Sequence, residues 1–345
     1  MDSALGMLTF AAGGLAGAVF LLPARGIKGW AYETWWFVYT LSGLIAFPLL
    51  ICALTVPSFW HVAMSAPGTV LLKCAGFGAM WGVGGLAWGL MVRYLGIGLG
   101  LAIGCGLCAA TGTVLPPIMN GEAASLLYGP DGAVSTGKLI VLAGVATSLL
   151  GIVFVGLAGK LKEAELPESE KKKAVADFDF GKGVATALVA GIFSGGMNLG
   201  LQSGGCIEKA AVEAGADPTW RGMPVIMVVL WGGFVVQAVW CLAQHFKNRT
   251  FGDYARPTMR NILLSCAVGL LWVMQFVCTK AGEPLMGDLK YISFAVMMAS
   301  TIFFSTIAGV MSGEWKGTGA KTRLSLAAGT AILLAAFCTI SIGSR

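Results

Sequence analysis

The chain has 345 residues, of which 57% are hydrophobic and 12% are charged, and its formal net charge is +6. Soluble domains have about 45–50% apolar and about 25% charged residues, so this composition excludes an ordinary soluble protein and indicates an integral membrane protein. The excess of basic residues lies in the connections between apolar stretches. It therefore indicates membrane topology, and a nucleic-acid partner is not expected.

Ten apolar stretches are each about as long as the roughly 20 residues that a helix needs to cross a bilayer. In chain order they are 5–22, 35–56, 71–92, 97–119, 139–157, 184–201, 223–242, 262–279, 292–311 and 324–342. The sequence therefore predicts an all-α integral membrane protein with ten transmembrane helices.

The lysines and arginines predict how these helices are oriented. Sixteen of the 23 lie in the odd-numbered connections, and the other seven lie in or beside the even-numbered connections and at the termini. Because cytoplasmic connections carry the excess of basic residues, the odd-numbered connections are predicted to be cytoplasmic. Both termini are then expected on the outer side.

Cysteine and histidine offer no clear sign of redox or metal chemistry. Cys105 and Cys108 match the C-x-x-C pattern, but they lie inside a predicted span without a strand before them. Packing is therefore the better interpretation. The two histidines, His61 and His245, both lie near span ends and far apart in the chain, so no metal site is predicted.

A charged segment divides the chain into two halves of five predicted spans. We interpret 1–159 as a first five-helix repeat, 160–182 as a charged cytoplasmic linker, and 183–345 as a second five-helix repeat. The linker has the composition of a solvated segment.

The two halves also resemble each other in sequence. The tetrapeptide Gly-Ala-Met-Trp at 78–81 matches Gly-Leu-Leu-Trp at 269–272, and Met-Asn-Gly-Glu at 119–122 matches Met-Ser-Gly-Glu at 311–314. Agreement in order and spacing indicates a duplication. Because each copy has an odd number of spans, the second copy is predicted to be inverted in the membrane. Secondary transporters commonly have this architecture, with the substrate site near the midplane.

Two tryptophans and several amides are candidates for lining that site. Trp81 and Trp272 each lie ten positions into a predicted span, which places them about 15 Å deep at about 1.5 Å per residue. Asn198 and Gln202 share one helix face with Ser194, since the three residues recur at intervals of four. Gln237 and Gln275 add an amide in each of the next two spans.

Amides with aromatic faces suit a neutral polyol or sugar, whose hydroxyls need hydrogen bonds and whose ring has an apolar side. The alternative is that the amides only join neighbouring helices. The basic residues of the spans, Lys73, Arg93, Lys280 and Lys290, lie near span ends, where snorkelling accounts for them. A neutral substrate is therefore preferred over an anionic one.

Motifs along nearly the whole chain resemble those of the L-rhamnose/proton symporters of bacterial inner membranes, within the drug/metabolite transporter superfamily. The matching residues are Trp30, Glu33, Thr34, Trp36, 78–84 (GAMWGVG), 93–96 (RYLG), Asn120, Gly121, 191–194 (GIFS), Trp272, Gln275, 291–293 (YIS), Glu314 and Trp315. The resemblance implies two inverted five-helix repeats and proton-coupled uptake of a 6-deoxyhexose. In a bacterial inner membrane, the outer side that the charge pattern assigns to the termini is the periplasm. No cofactor is expected, with the proton gradient as the energy source and sugar, protons and lipid as the partners.

Transport by alternating access then requires a sugar site and a proton carrier. The predicted sugar site comprises Trp81, Asn198, Gln202, Gln237, Trp272 and Gln275. Carboxylates near the spans are Glu33, Glu208, Glu283 and Asp288, and only Glu33 does not look exposed in a loop.

The role of Glu33 stays open between two interpretations. As the proton-coupling residue, it would face the cytoplasmic vestibule about one turn inside the second helix. Otherwise it complements the N-terminal dipole of that helix and pairs with Lys28 or Arg25. The neighbouring Tyr32, Trp35 and Trp36 are expected in the aromatic belt of this helix at the cytoplasmic membrane surface.

Three other functions are compatible with parts of this pattern. Relatives in the same superfamily include exporters of amino acids and other metabolites. An integral-membrane acyl or glycosyl transferase would be expected to show His, Asp or metal-ligand clusters, against which two isolated histidines argue. A structural assembly subunit would show no saturable binding of a small molecule. We expect a transporter and not an enzyme.

Overall fold

The computed structural model describes residues 2–119, 121, 123–128, 132–167, 169, 175, 177–255, 259–282, 284–285 and 293–343. Asn120, Glu122, Glu283, Asp288 and the predicted motif residues 291–292 lie outside these ranges. Within them the regular secondary structure is helical, apart from one isolated bridge between Tyr128 and Val134. The predicted all-α class is confirmed for this part of the chain.

Helices occupy most of the described part of every predicted span. They are α1 (Asp2–Val19), α2 (Tyr32–Thr40), α3 (Phe47–Thr55), α4 (Phe59–Met64), α5 (Gly68–Leu95), α6 (Ile97–Met119), α7 (Thr136–Glu165), α8 (Phe180–Ser203), α9 (Gly205–Glu213), α10 (Met223–Asn248), α11 (Met259–Gly282), α12 (Ser293–Met311) and α13 (Ala320–Gly343). A π-helical turn, Leu41–Ala46, joins α2 to α3.

Eight of these helical segments are long and apolar enough to cross a membrane. Helices α6 and α12 contain shorter apolar segments, Ile97–Cys108 and Val296–Met311. The structure thus supports a multi-pass membrane protein with eight candidate spans among the described residues, and the number ten stays a prediction. Helices α7 and α10 run past their predicted ends, because the charged residues that marked those ends are themselves good helix formers.

The chain divides into two compact units that do not coincide with its sequence halves. Unit 1 comprises Met1–Ala18, Leu86–Gly195 and Ala281–Arg345, and unit 2 comprises Val19–Gly85 and Gly196–Lys280. Each unit therefore takes helices from both predicted repeats. The predicted division at 1–159, 160–182 and 183–345 concerns sequence duplication and stays a prediction.

Unit 1 is organised around the antiparallel pair of α7 and α13. Gly144 lies against Ile340, Gly151 against Leu333, and Gly329 against Val155. Along these contacts the residue numbers rise in α7 and fall in α13, so the two helices are antiparallel. The glycines allow their backbones to approach closely. These two helices are the last spans of the two predicted repeats.

A buried carboxylate holds the start of α6 in the same unit. Glu314 accepts hydrogen bonds from the backbone amides of Ile97 at 2.9 Å and Gly98 at 3.0 Å. A carboxylate at this place satisfies amides that have no partner within the helix and complements the helix dipole. The neighbouring Trp315 contacts the buried Lys162, whose ammonium lies 5.0 Å from the centroid of the indole ring.

Unit 2 packs α5 against α10 through glycines. A Cβ on Gly78 would clash with the carbonyl oxygen of Val229, and a Cβ on Gly232 would clash with that of Ala75. The two backbones are therefore as close as glycine permits. This contact sets the position of Trp81, one turn further along α5.

The π-helical turn of unit 2 has a local cause in the sequence. Pro48 has no N–H for the carbonyl of Leu44, and its ring would clash with that carbonyl in a regular α-helix. The preceding turn is widened, and Phe47 N–H bonds to Ser42 five residues back. Gly43 of this turn packs against Gly269 of α11, where a Cβ would be 3.0 Å from the Gly269 Cα atom.

Candidate functional site

The two tryptophans expected at the midplane contact each other inside unit 2. The ring centroids of Trp81 on α5 and Trp272 on α11 are 5.3 Å apart, with an interplanar angle of 39°. Both side chains are buried. The sequence predicted each one separately, and the structure brings them together as a pair.

Gln237 on α10 lies next to this pair and is completely buried. Its Oε1 accepts a hydrogen bond of 2.9 Å from the indole Nε1 of Trp36 on α2. Its Nε2 has no hydrogen-bond partner among the described residues. A Cβ on Gly85 would lie 2.7 Å from this Nε2 and 3.8 Å from Cζ2 of Trp81, so the free amide and the indole share one locality.

An unpaired buried donor of this kind needs a physical explanation. Leaving such a group without a partner costs about 1–3 kcal/mol, and buried polar groups without partners are rare in native structures. A ligand hydroxyl would satisfy the amide, and the indole faces would contact the apolar side of the same ligand.

The other three predicted sugar-site residues are placed differently. Gln275 donates a hydrogen bond of 2.8 Å from Nε2 to the carbonyl oxygen of Trp272, its neighbour one turn away. Asn198 is half-buried and Gln202 is exposed on α8. Within the described structure, neither forms a hydrogen bond to the Trp81, Trp272 and Gln237 cluster. Their assignment to the site stays a prediction.

Glu33 is buried at the start of α2, with 4% of its surface exposed. The helix begins at Tyr32, so Glu33 lies in its first turn. Its Oε1 accepts hydrogen bonds from Nδ2 of Asn248 at 2.9 Å and from Oγ1 of Thr250 at 2.8 Å. The expected pairing with Lys28 or Arg25 is not found for Glu33 among the described residues, because neutral donors at the end of α10 occupy the carboxylate instead.

The expected membrane-surface belt at Trp35 and Trp36 is wrong. Both side chains are buried, and Trp36 stacks on Tyr32 with a centroid distance of 5.1 Å and an angle of 19°. The indole N–H of Trp36 is used by Gln237. The local sequence shows only that these aromatic residues follow a basic loop, a pattern that is typical of residues at the membrane surface. It does not show that other helices cover the two side chains.

Sequence reasoning missed a group of polar residues around Glu33. His245 is buried and joined to Thr250 and Tyr254 through its two ring nitrogens. Asp253 accepts hydrogen bonds of 2.8 Å from the backbone amide of Ala31 and from Thr34 Oγ1. The only signal was the polar sequence after α10, which also fits an ordinary loop.

The remaining candidate carboxylate that the structure describes is Glu208. It lies 3.6 Å from the Nε atom of Arg221 and both side chains are partly exposed. A surface ion pair of this kind contributes little to stability. Glu208 is therefore a less suitable proton carrier than the buried Glu33.

Comparison with known proteins identifies close relatives over the full length of the chain. Proteins named L-rhamnose-proton symporter from Shigella sonnei and Escherichia coli are each 30% identical to it, and one from Cronobacter sakazakii is 29% identical. Each comparison covers 98% of this chain and 97% of the relative. No solved structure gives a significant match.

The family model described as L-rhamnose-proton symport protein (RhaT) matches residues 1–344. This is a family of transporters, so the expectation that the chain is not an enzyme is confirmed. The resemblance inferred from the motifs of the sequence is confirmed as well. The chain belongs to the L-rhamnose-proton symport protein (RhaT) family.

Proposed function

We propose that this protein carries L-rhamnose, or a related 6-deoxyhexose, into the bacterial cell together with protons. Transport follows alternating access, with the proton gradient as the energy source and without a cofactor. The observation that carries the proposal is the Trp81 and Trp272 pair beside the buried, unpaired amide of Gln237.

The chemistry of a 6-deoxyhexose fits this cluster. Such a sugar has hydroxyls that accept a hydrogen bond from the Nε2 donor of Gln237, and a methyl group in place of the usual hydroxymethyl group. The methyl group and the apolar side of the ring contact the indoles. The names of the relatives support the same substrate class.

Two observations support ten transmembrane helices in two inverted repeats. Gly121 and Gly313, at equivalent positions in the two matching tetrapeptides, both have φ of +75°. Trp81 and Trp272, the other equivalent pair, contact each other, as expected for residues near a two-fold axis between repeats.

Contacts within each unit support the proposed topology, with odd-numbered connections in the cytoplasm and both termini in the periplasm. In unit 2 the first connection meets the seventh, where Asn261 Nδ2 donates to the Lys28 carbonyl at 2.8 Å. In unit 1 the third meets the fifth, where Arg93 Nε is 2.6 Å from Asp177. Connections that the charge pattern assigns to the same side thus lie together within each unit.

We assign proton coupling to Glu33. It is buried, and its hydrogen-bond donors are the neutral side chains of Asn248 and Thr250, so no fixed positive charge neutralises it among these contacts. It also lies one helical turn from Trp36. The indole of Trp36 donates a hydrogen bond to Gln237, the residue proposed to bind the sugar. A change in the charge of Glu33 therefore acts on the element that positions the sugar site.

The experiment is uptake of labelled L-rhamnose into proteoliposomes that contain the purified protein, with and without an inward proton gradient. The wild type is expected to accumulate sugar only with the gradient. Glu33→Gln is expected to abolish accumulation and to retain exchange of labelled for unlabelled sugar, whereas the control Glu208→Gln retains both. Exchange without gradient-driven accumulation in the wild type would refute symport, and normal accumulation by Glu33→Gln would refute the role of Glu33.

A further inference from the structure

A continuous line of hydrogen bonds connects Glu33 to Tyr254 within unit 2. Oγ1 of Thr250 donates to Oε1 of Glu33 at 2.8 Å, and Nδ1 of His245 lies 2.7 Å from the same Oγ1. On the other side of the imidazole, Nε2 lies 2.9 Å from the hydroxyl of Tyr254. All four side chains are thus linked at distances typical of hydrogen bonds.

The chain reversal after α10 creates this arrangement. Arg249 has a left-handed conformation with φ of +56°, and its N–H bonds to the carbonyl oxygen of His245. Thr250 N–H bonds to the same oxygen at 3.3 Å, which folds its side chain back onto the imidazole. A left-handed residue other than glycine costs conformational energy, and such residues are concentrated at functional sites.

The number of available protons determines the direction of each bond. Thr250 has one hydroxyl proton, so when it donates to an ionised Glu33 it must accept from Nδ1–H of His245. Burial raises the pKa of Tyr254, so its phenol keeps its proton. That proton is donated either to Nε2 of a neutral His245 or to the carbonyl oxygen of Thr34, 3.5 Å away, when Nε2 is itself protonated.

We propose that His245 exchanges the coupled proton with Glu33 through the hydroxyl of Thr250. This inference rests on the proposed function and adds a relay residue to it. Starting from an imidazolium and an ionised Glu33, the Nδ1–H bond breaks as that proton bonds to Oγ1 of Thr250, whose own proton moves to Oε1 of Glu33. One N–H and one O–H bond break and two O–H bonds form, leaving a neutral His245 and a neutral Glu33. The reverse transfer restores the charges.

The groups that face His245 suit such an exchange. Burial disfavours the charged form of the imidazole, whereas the carboxylates of Glu33 on α2 and Asp253 in the turn Phe251–Ala255 favour it. Tyr254 of the same turn contacts Nε2, and Cys241 lies one turn earlier on α10. Position at the C-terminal end of α10 also favours a positive charge through the helix dipole. The basic residues of this helix end, Lys247 and Arg249, are exposed to solvent.

The relay is connected to the proposed sugar site through two helices. Gln237, Cys241 and His245 recur at intervals of four and are all buried, so they share one face of α10. On α2, Trp36 contacts the first of these residues and Glu33 contacts the last through Thr250. A proton transfer at the His245 end of the contact between α2 and α10 therefore acts on the same two helices that position Gln237, the proposed sugar-binding residue, at the other end.

The test uses a matched pair of variants at Thr250 in proteoliposomes. Thr250→Val keeps the shape of the side chain but removes the hydroxyl, whereas Thr250→Ser keeps the hydroxyl. Loss of a positioned proton-transfer group typically slows a reaction by about 100-fold or more. We expect that loss in proton-driven accumulation for Thr250→Val and His245→Asn, with sugar exchange retained, and near wild-type accumulation for Thr250→Ser. His61→Asn, at the exposed second histidine, is the control and is expected to behave as wild type.

A purely structural role predicts a different pattern. It would lower exchange and accumulation together and leave the pH profile of the initial uptake rate unchanged, whereas the relay predicts a profile that changes in His245→Asn. The proposal is overturned if Thr250→Val accumulates sugar like the wild type, or if Thr250→Ser is as defective as Thr250→Val.

A measurement without transport separates this proposal from the proposed function. With His61 replaced, the ring nitrogens of His245 in ¹⁵N-histidine-labelled protein report its protonation directly by NMR. We expect the titration curve of His245 to change in Glu33→Gln and in Thr250→Val. If the wild type does not accumulate sugar, symport is refuted, and the relay stands or falls on these curves alone. Identical curves in all three proteins would refute it.

Discussion

Replacement of Gln237 by leucine tests whether its free amide binds the sugar. The amide has two roles in the structure: Oε1 accepts from Trp36 and Nε2 points to the region between Gly85 and Trp81. Gln237→Leu removes both the Oε1 acceptor and the Nε2 donor, and the side-chain volume stays nearly constant. Trp36→Phe removes only the first, because it leaves Nε2 in place.

The two roles predict separable magnitudes. In Gln237→Leu the buried indole N–H of Trp36 loses its partner, at a cost of about 1–3 kcal/mol, but the unpaired Nε2 is also removed, which relieves a cost of about the same size, so the free energy of unfolding without sugar should change little. The sugar loses one neutral hydrogen bond with a net value of about 0.5–1.5 kcal/mol. That loss corresponds to a dissociation constant raised by about 2- to 13-fold.

The double variant separates stability from binding. In Trp36→Phe combined with Gln237→Leu no orphaned group remains, so the double variant is destabilised by less than the sum of the single changes, by at least about 1 kcal/mol. Its sugar affinity should equal that of Gln237→Leu, and the affinity of Trp36→Phe should stay close to the wild-type value.

The assays are isothermal titration calorimetry with L-rhamnose and SDS titration followed by circular dichroism, both on purified protein. Wild-type affinity in Gln237→Leu, together with weakened affinity in Trp36→Phe, would refute the assignment of Nε2 as a sugar ligand. Additive destabilisation in the double variant would refute the energetic link between the two side chains.

Two further substitutions test the packing that positions the helices. Gly78→Ala introduces a Cβ that clashes with the carbonyl oxygen of Val229, so we expect a lower thermal unfolding midpoint. Gly76→Ala on the same helix meets open space and is expected to be neutral or stabilising; equal effects would contradict the close contact. Glu314→Ala leaves two backbone amides of α6 without their acceptor, a loss of about 1–3 kcal/mol. Glu314→Gln should be intermediate, and an unchanged midpoint in Glu314→Ala would refute the capping role.

Parts of the candidate site were predictable from residue type and position. Trp81 and Trp272 each lie ten positions into a predicted span, which indicated their depth in the membrane, whereas their contact with each other appears only in the structure. Gln237 was predictable because an amide within an apolar span is costly unless it has a partner or a ligand. For Asn198 and Gln202 the interval of four identified a shared face, but periodicity does not determine which neighbour that face meets.

The surroundings of Glu33 could not be predicted in the same way. Its partners Asn248 and Thr250 lie 215 and 217 positions away in the sequence. His245 was set aside as an isolated histidine at a span end, since no local pattern indicates that a left-handed Arg249 folds Thr250 back onto it. The buried Trp36 shows the same limit, because proximity to a basic loop indicates an interface whether or not another helix covers the ring.

The sequence by itself determined that this protein is a helical membrane transporter, together with the approximate positions of its apolar helices and its family. These properties depend on composition, on the length of apolar stretches and on motifs, all of which act locally along the chain. Tertiary structure alone decided that Trp36 binds Gln237 and that Glu33 is linked to His245. Both contacts join α2 to the region of α10, and the packing of helices distant in sequence depends on how their faces fit together, which no single segment encodes.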